Sequence, residues 1–300
     1  MKLKIAIGVF MVVLLGLFLL ARVIHANGQA SNDYIKTEEA SSDENSSENS
    51  RSPYTIKNDR IESQIEISAE MDSVFEICKP APLSGVSEQI IKKKAYIVSY
   101  NKDTKIPNWV AWHLTGEHSD GTIGRSNMFY EEGEVPAPRA TNEDYRGSGW
   151  SRGHMCPAGD NKWDVEAMNQ SFSLINVCPQ DASLNSGLWN SIEIDCRNWA
   201  KRFQDIYIIC GPVFYMQEHV LIGANEVSVP EAFFKVVLCL NGKPKGIGFV
   251  VKNNAGTKKK DLYYNSIDQV ERITGIDFFP ILPDDLENEV ESKLDLELWR

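Results

Sequence analysis

The chain has no Cys-x-x-Cys pair and no His-x-Glu, and it holds only six cysteines and five histidines in 300 residues. A zinc deaminase requires His-x-Glu together with Pro-Cys-x-x-Cys. Here His154-Met155-Cys156 and Cys178-Pro179-Gln180-Asp181 supply neither, so that chemistry is set aside. Six cysteines allow fifteen full pairings, and connectivity is not legible. Cys210 and Cys239 lie in apolar runs, where buried free thiols are common. Positive charge is also short, with 31 Lys and Arg against 42 Asp and Glu and a net charge of −11. Such a balance argues against a nucleic-acid partner, unless the acids lie outside the working part. No internal repeat is found.

The acids are indeed segregated. From Asn32 through Glu76 there are 12 acids against 4 bases, and from Ile281 to Arg300 there are 7 against 2. The stretch Ser41 to Ser50 is nearly free of apolar side chains, so residues 31–76 are expected to form a disordered acidic tether. Before it, a basic Met1–Lys4 start leads into an apolar run from Ile5 to Leu20. That run lies between a signal-peptide core and a minimal membrane span. Residues 1–30 are therefore expected to be a signal peptide, cleaved after Ala26 or Ala30, or an uncleaved membrane anchor. No cysteine follows the run, so a lipoprotein is excluded. Either reading exports the folded part, to the periplasm, the cell surface or the medium. Residues 77–300 then form one domain with a sizeable core.

Within that domain, Ser148-Gly-Trp-Ser-Arg-Gly-His-Met-Cys-Pro-Ala-Gly-Asp160 cannot be the middle of a helix. It reads as a strand running into a tight loop that presents His154, with Arg152 two residues away. Histidine is the side chain whose ordinary pKa suits general-base work near neutrality, and arginine suits a phosphate. The plain alternative is a histidine that only hydrogen-bonds its loop. Phe172 to Gln180 reads as a buried strand ending near Pro179. From Leu188 onward, Trp189, Ile192, Cys196, Trp199, Ala200 and Phe203 fall on one helical face. Extended back one turn at ~100° per residue, that stripe meets Asn185. An amide there either caps the helix or binds something. Glu193 lies at the edge of the stripe.

Loop histidine, strand asparagine, helix asparagine and helix glutamate, in this order, resemble the DNA/RNA non-specific endonucleases, the family of Serratia-type nuclease and endonuclease G. The resemblance runs from about Lys94 to Glu287 and includes Trp109-Val-Ala-Trp112, Arg139 with Tyr145 and Gly147, Gly211-Pro212, and Glu271 to Pro280. It implies an α+β, ββα-metal (His-Me finger) fold with a central antiparallel sheet flanked by helices. It implies His154 as the general base that takes a proton from water, Asn185 as the ligand of one Mg²⁺ (with Mn²⁺ as a substitute), and Glu193 as the carboxylate orienting metal-bound waters. Arg125 matches a phosphate-contacting arginine, and Arg152 the arginine beside the histidine. Asn176 and Gln180 match polar residues that hold the histidine loop or the substrate, and Arg139 one that shapes the site. DNA and RNA are the implied partners, and relatives are often dimers.

One position departs from the family pattern. Ser151 stands where most of the family has aspartate, as in a branch of mitochondrial exo/endonucleases. It supports an alternative reading in which the same fold serves as a catalytically impaired, membrane-tethered nucleic-acid-binding module. Lys92-Lys-Lys94 and Lys258-Lys-Lys260 are local basic clusters that either meet phosphates or are solvated loops. His113, His118 and His219 stand alone and read as surface or core residues. Strands are expected at 96–100, 109–114, 205–213, 233–240 and 246–251.

Overall fold

The computed structural model describes residues 74–255 and 259–300. The expected signal or anchor and nearly all of the expected tether lie outside them. Its centre is a seven-stranded sheet in which each paired strand is antiparallel to its neighbour. The strands are β1 (Gln89–Lys92), β2 (Ile97–Asn101), β3 (Ile106–Thr115), β6 (Asp205–Val213), β9 (Ala232–Cys239), β10 (Lys245–Lys252) and β11 (Tyr264–Asn265), in that spatial order. Two separate pairs stand apart from it, β4 (Ser151–His154) with β5 (Val177–Gln180), and β7 (Val220–Ile222) with β8 (Val227–Val229).

Both faces of the central sheet are covered, which is why β6 and β9 read as continuous apolar runs rather than as alternating ones. Side chains alternate between two cores along each strand. Trp112, Ile208, Phe233, Val237 and Phe249 face one core, which also holds Met155, Val177 and the helix residues Trp189, Ile192 and Cys196. Trp109, Ile209, Phe234 and Val236 face the other, with Ile267, Val270 and Val290. Short helix α1 (Val165–Gln170) starts on the cap Asp164, whose side chain accepts from Ala167 N–H. The amphipathic helix α2 (Asn190–Phe203) covers the first face, and α3 (Ile267–Thr274) with α4 (Asp284–Ser292) covers the second.

Phe75 is buried in the second core, so the packed chain already includes residues of the segment read as tether. Members of both basic clusters are engaged within the fold. Lys93 pairs with Glu132 at 2.7 Å, Lys94 with Asp164 at 2.8 Å, and Lys260 with Asp195. All six cysteines are buried free thiols. Among the described residues, no helix is long and apolar enough to cross a membrane.

Candidate active site

Gly147 and Gly149 have φ of +69° and +85°, and they turn the chain into β4. β4 pairs with β5 so that His154 faces Val177 and Ser151 faces Gln180. Asn176 then locks the loop beyond the histidine. Its Oδ1 accepts from Cys156 N–H at 2.9 Å, and its Nδ2 donates to the carbonyls of Cys156 and Ser171 at 2.8 Å each. Gln180 is fully buried and lies against Gly153, where an added Cβ would overlap its carboxamide. Glycine is therefore demanded at position 153 by close approach. Both polar atoms of the Gln180 side chain are buried without hydrogen-bond partners among the described residues.

His154 is 7% exposed and is walled by two phenylalanines, Phe172 edge-on at 4.8 Å and Phe129 tilted at 5.1 Å. Burial, aided by the charge of Arg125, lowers its pKa to about 3, so the ring is neutral at physiological pH. Its Nε2 is buried and has no partner among the described residues. Exposed Arg125 lies over the Phe172 ring at 5.2 Å, and Arg152 lies over Phe129 at 5.1 Å and Tyr145 at 5.8 Å.

After β5 the chain turns directly into the helix. Asp181 is the cap, accepting from the N–H groups of Ser183 and Leu184, so Asn185 is not the capping residue. Asn185 instead opens a wide π-type turn, Asn185–Trp189, that runs into α2. Eight residues separate Asn185 from Glu193. In an unbroken α-helix two turns take about 7.2 residues, and the pair would be about 80° apart. The wide turn absorbs most of one extra residue, so two turns close on roughly eight. Asn185 and Glu193 thereby stack on one side of the helix. This is a register that plain helical periodicity misses. Among the described residues neither the carboxamide of Asn185 nor the carboxylate of Glu193 takes up a hydrogen bond or ion pair.

Glu193 is half-buried, and its carboxyl is raised to about 7, chiefly by burial. Lys235, Arg197 and Arg125 oppose that rise and Asp160 adds to it. The charge of Arg125 thus bears on both His154 and Glu193. Arg139 is engaged elsewhere, donating to the Val135 carbonyl at 3.0 Å and facing Glu131 at 3.5 Å.

Three charged residues around the site escaped the sequence reading. Asp160 is buried, accepting from Trp112 Nε1 at 3.1 Å and from Arg197 at 2.9 Å. Arg197 is one turn beyond Glu193, and that spacing could have flagged it. A Cβ on Gly159 would come within 2.9 Å of its guanidinium, so glycine lets the arginine pass. Lys235 is the lone lysine in an apolar strand. It is fully buried beneath the helix, its ammonium 4.9 Å from the Trp112 ring and 4.7 Å from that of Trp189, an arrangement worth about 2 kcal/mol when desolvated. Burial lowers its pKa, but Cys210, Cys196, Glu193 and Asp160 outweigh that and raise it.

A β-strand pair leading into a helix, with a histidine on the first strand and an asparagine opening the helix, is the ββα-metal nuclease fold. The family model described as DNA/RNA non-specific endonuclease matches residues 73–285, and the chain belongs to that family. It is 37% identical over 222 residues to "Nuclease EXOG, mitochondrial" of Xenopus laevis, a match spanning 68% of this chain and 61% of that protein. It is 33% identical over 207 residues to "Endonuclease G, mitochondrial" of Homo sapiens, spanning 64% and 70%. The structure titled "Crystal structure of the EndoG/EndoGI complex: Mechanism of EndoG inhibition" superposes with a TM-score of 0.66 at 26% identity, covering 70% of this chain and 91% of that one. The chain thus spans about 60% of the length of the first of these relatives.

These relatives overturn the expectation of export, since several are named as mitochondrial nucleases. The physical reason lies in the run itself. About sixteen apolar residues after a basic start fall short of a membrane span, so length alone does not single out a secretory address.

Proposed function

We propose that the chain is a Mg²⁺-dependent, sugar-non-specific endonuclease that hydrolyses phosphodiester bonds in DNA and RNA. The observation that carries this reading is the buried, unpartnered Nε2 of a neutral His154, on a strand pair that leads straight into the helix carrying Asn185 and Glu193. Buried polar atoms without partners cost free energy, and a functional site is where that cost is retained. An all-oxygen donor pair suits a hard cation such as Mg²⁺, which keeps several of its own waters. Asn185 would hold that ion directly and Glu193 would orient its waters. When bound, the cation would offset negative charge on the departing 3′-oxygen.

The protein groups supply the remainder. Neutral His154 takes a proton from water through Nε2 as the oxygen attacks phosphorus, and the bond to the 3′-oxygen breaks. A base with so low a proton affinity is weak in the resting site, and the negative charge of a phosphodiester bound beside it would raise it. Arg125 is exposed and able to meet a phosphoryl oxygen, whereas Arg152 is spread over aromatic rings and orients the loop. Recognition through phosphate and sugar leaves the bases largely unread, which accounts for action on both nucleic acids.

Ser151 favours one competing reading, an impaired enzyme that only binds. Plasmid DNA and a structured RNA incubated with wild type and Asn185→Ala across a Mg²⁺ titration separate the two. Cleavage of both substrates is expected from wild type, with a Mg²⁺ requirement raised at least tenfold in Asn185→Ala. Binding without cleavage by wild type at any Mg²⁺ concentration would establish the impaired module.

A further inference from the structure

On the opposite face of the central sheet, Asp268 and Glu271 share one side of α3, three residues apart, and Glu291 reaches them from the last turn of α4. One carboxylate oxygen from each lies within 4.8 Å of the other two. Asp277 and Glu287 add further negative charge nearby. Arg272 comes to Asp268 only at 4.0 Å, on a largely exposed side chain. An independent observation marks the cluster as more than a solvated acidic patch. Glu291 is 5% exposed, aims into the group, and its Oε1 is buried with no hydrogen-bond partner among the described residues. A buried, unpaired carboxylate beside two others, at the negative end of its own helix, is costly as it stands. A proton would relieve that cost, and burial with the neighbouring carboxylates raises the Glu291 carboxyl to about 9. A divalent cation held by all three carboxylates would relieve it as well.

We propose that Asp268, Glu271 and Glu291 form a second divalent-cation site, separate from the catalytic centre and suited to calcium, which clamps α4 onto α3. Ca²⁺ takes several carboxylate oxygens in a flexible arrangement, whereas Mg²⁺ keeps most of its waters and is usually held by one or two carboxylates. One oxygen from each of three carboxylates, all within 4.8 Å of one another, lies near enough for one divalent ion to gather them. Glu271 Oε1 already accepts from Phe278 N–H at 2.8 Å, which fixes that carboxylate's orientation. Water would complete the coordination.

The test is thermal unfolding of the full chain, metal-free and with Ca²⁺ or Mg²⁺, in wild type, Asn185→Ala, Asp268→Asn and Glu291→Gln. Asn185→Ala removes the ligand of the proposed catalytic ion, so the two sites are read separately. At about a hundredfold excess of Ca²⁺ over its dissociation constant, wild type and Asn185→Ala should both melt about 5–10 °C higher than without metal. Asp268→Asn and Glu291→Gln should lose at least three quarters of that shift. Glu291→Gln should also melt much as wild type does at neutral pH without metal, because the carboxyl it replaces is already protonated there. An unchanged melting temperature in wild type, or equal shifts in all four proteins, would overturn the site. A larger shift with Mg²⁺ than with Ca²⁺ in Asn185→Ala would overturn the calcium assignment.

Discussion

Replacing Asn176 by alanine removes the clamp on the histidine loop. The side chain is fully buried, and it makes three hydrogen bonds, one accepted from Cys156 N–H and two donated to the carbonyls of Cys156 and Ser171. At about 1 kcal/mol net for each, their loss amounts to about 3 kcal/mol. The substitution also strands buried backbone groups and leaves a small void, which brings the expected destabilisation to about 3–5 kcal/mol. For a domain of this size that lowers the melting temperature by roughly 6–20 °C. Asn176→Asp should fare no better, since it keeps one acceptor and turns negative charge onto two carbonyls. Activity should fall beyond the stability loss. Cys156 is two residues from His154, and a displacement of about 1 Å at a reacting group costs about a hundredfold in rate. Denaturant unfolding and cleavage rates on the same preparations, at a temperature where each variant is folded, provide the assay. A destabilisation below about 1 kcal/mol with a wild-type rate would refute the clamp.

Other outcomes follow from the same geometry. The folded-state pKa of His154 is depressed from 6.5 to about 3, so its contribution is present above pH 6.5 and is lost as pH falls from there toward 3. The whole shift corresponds to at most about 5 kcal/mol, and His154→Phe should flatten that part of the stability profile. Equal slopes for the two proteins between pH 6.5 and 4 would argue against the buried neutral ring. Gly153→Ala should cost about 1–3 kcal/mol by overpacking against Gln180 and should slow cleavage with it, a result checked by calorimetry and initial rates. Gly133→Ala, where an added Cβ meets nothing within 4 Å, serves as the control and should change neither measurement appreciably.

The elements that sequence reading caught are those whose burial has a period. β6 was legible to the residue, and β9 and β10 to within one or two positions, because both faces of the sheet are covered and the runs are continuous. The buried stripe of α2 was legible for the same reason, at Ile192, Cys196, Trp199 and Ala200. What periodicity cannot show is a change of period. The π-type turn that aligns Asn185 with Glu193 has no signal in hydropathy, so Glu193 looked marginal from the sequence. The Asp160, Arg197 and Lys235 group was also missed, since its members come from a loop, a helix and a strand that only the folded chain brings near each other. Lys235 offered a hint as a lysine within Phe-Phe-Lys-Val-Val, where a charge is unexpected. The N-terminal apolar run was the least secure guide, because its length fits more than one cellular address.

The central claim is that His154 and an ion held by Asn185 act together on one phosphate. A double-mutant cycle of cleavage rates at saturating Mg²⁺, using His154→Ala, Asn185→Ala and the double variant, tests it most directly. Each single variant should be slower by about 10²–10⁴-fold, and the double variant should be little slower than the worse single one. Losses that multiply in full would mean that the two residues work independently, and the shared site would have to be abandoned.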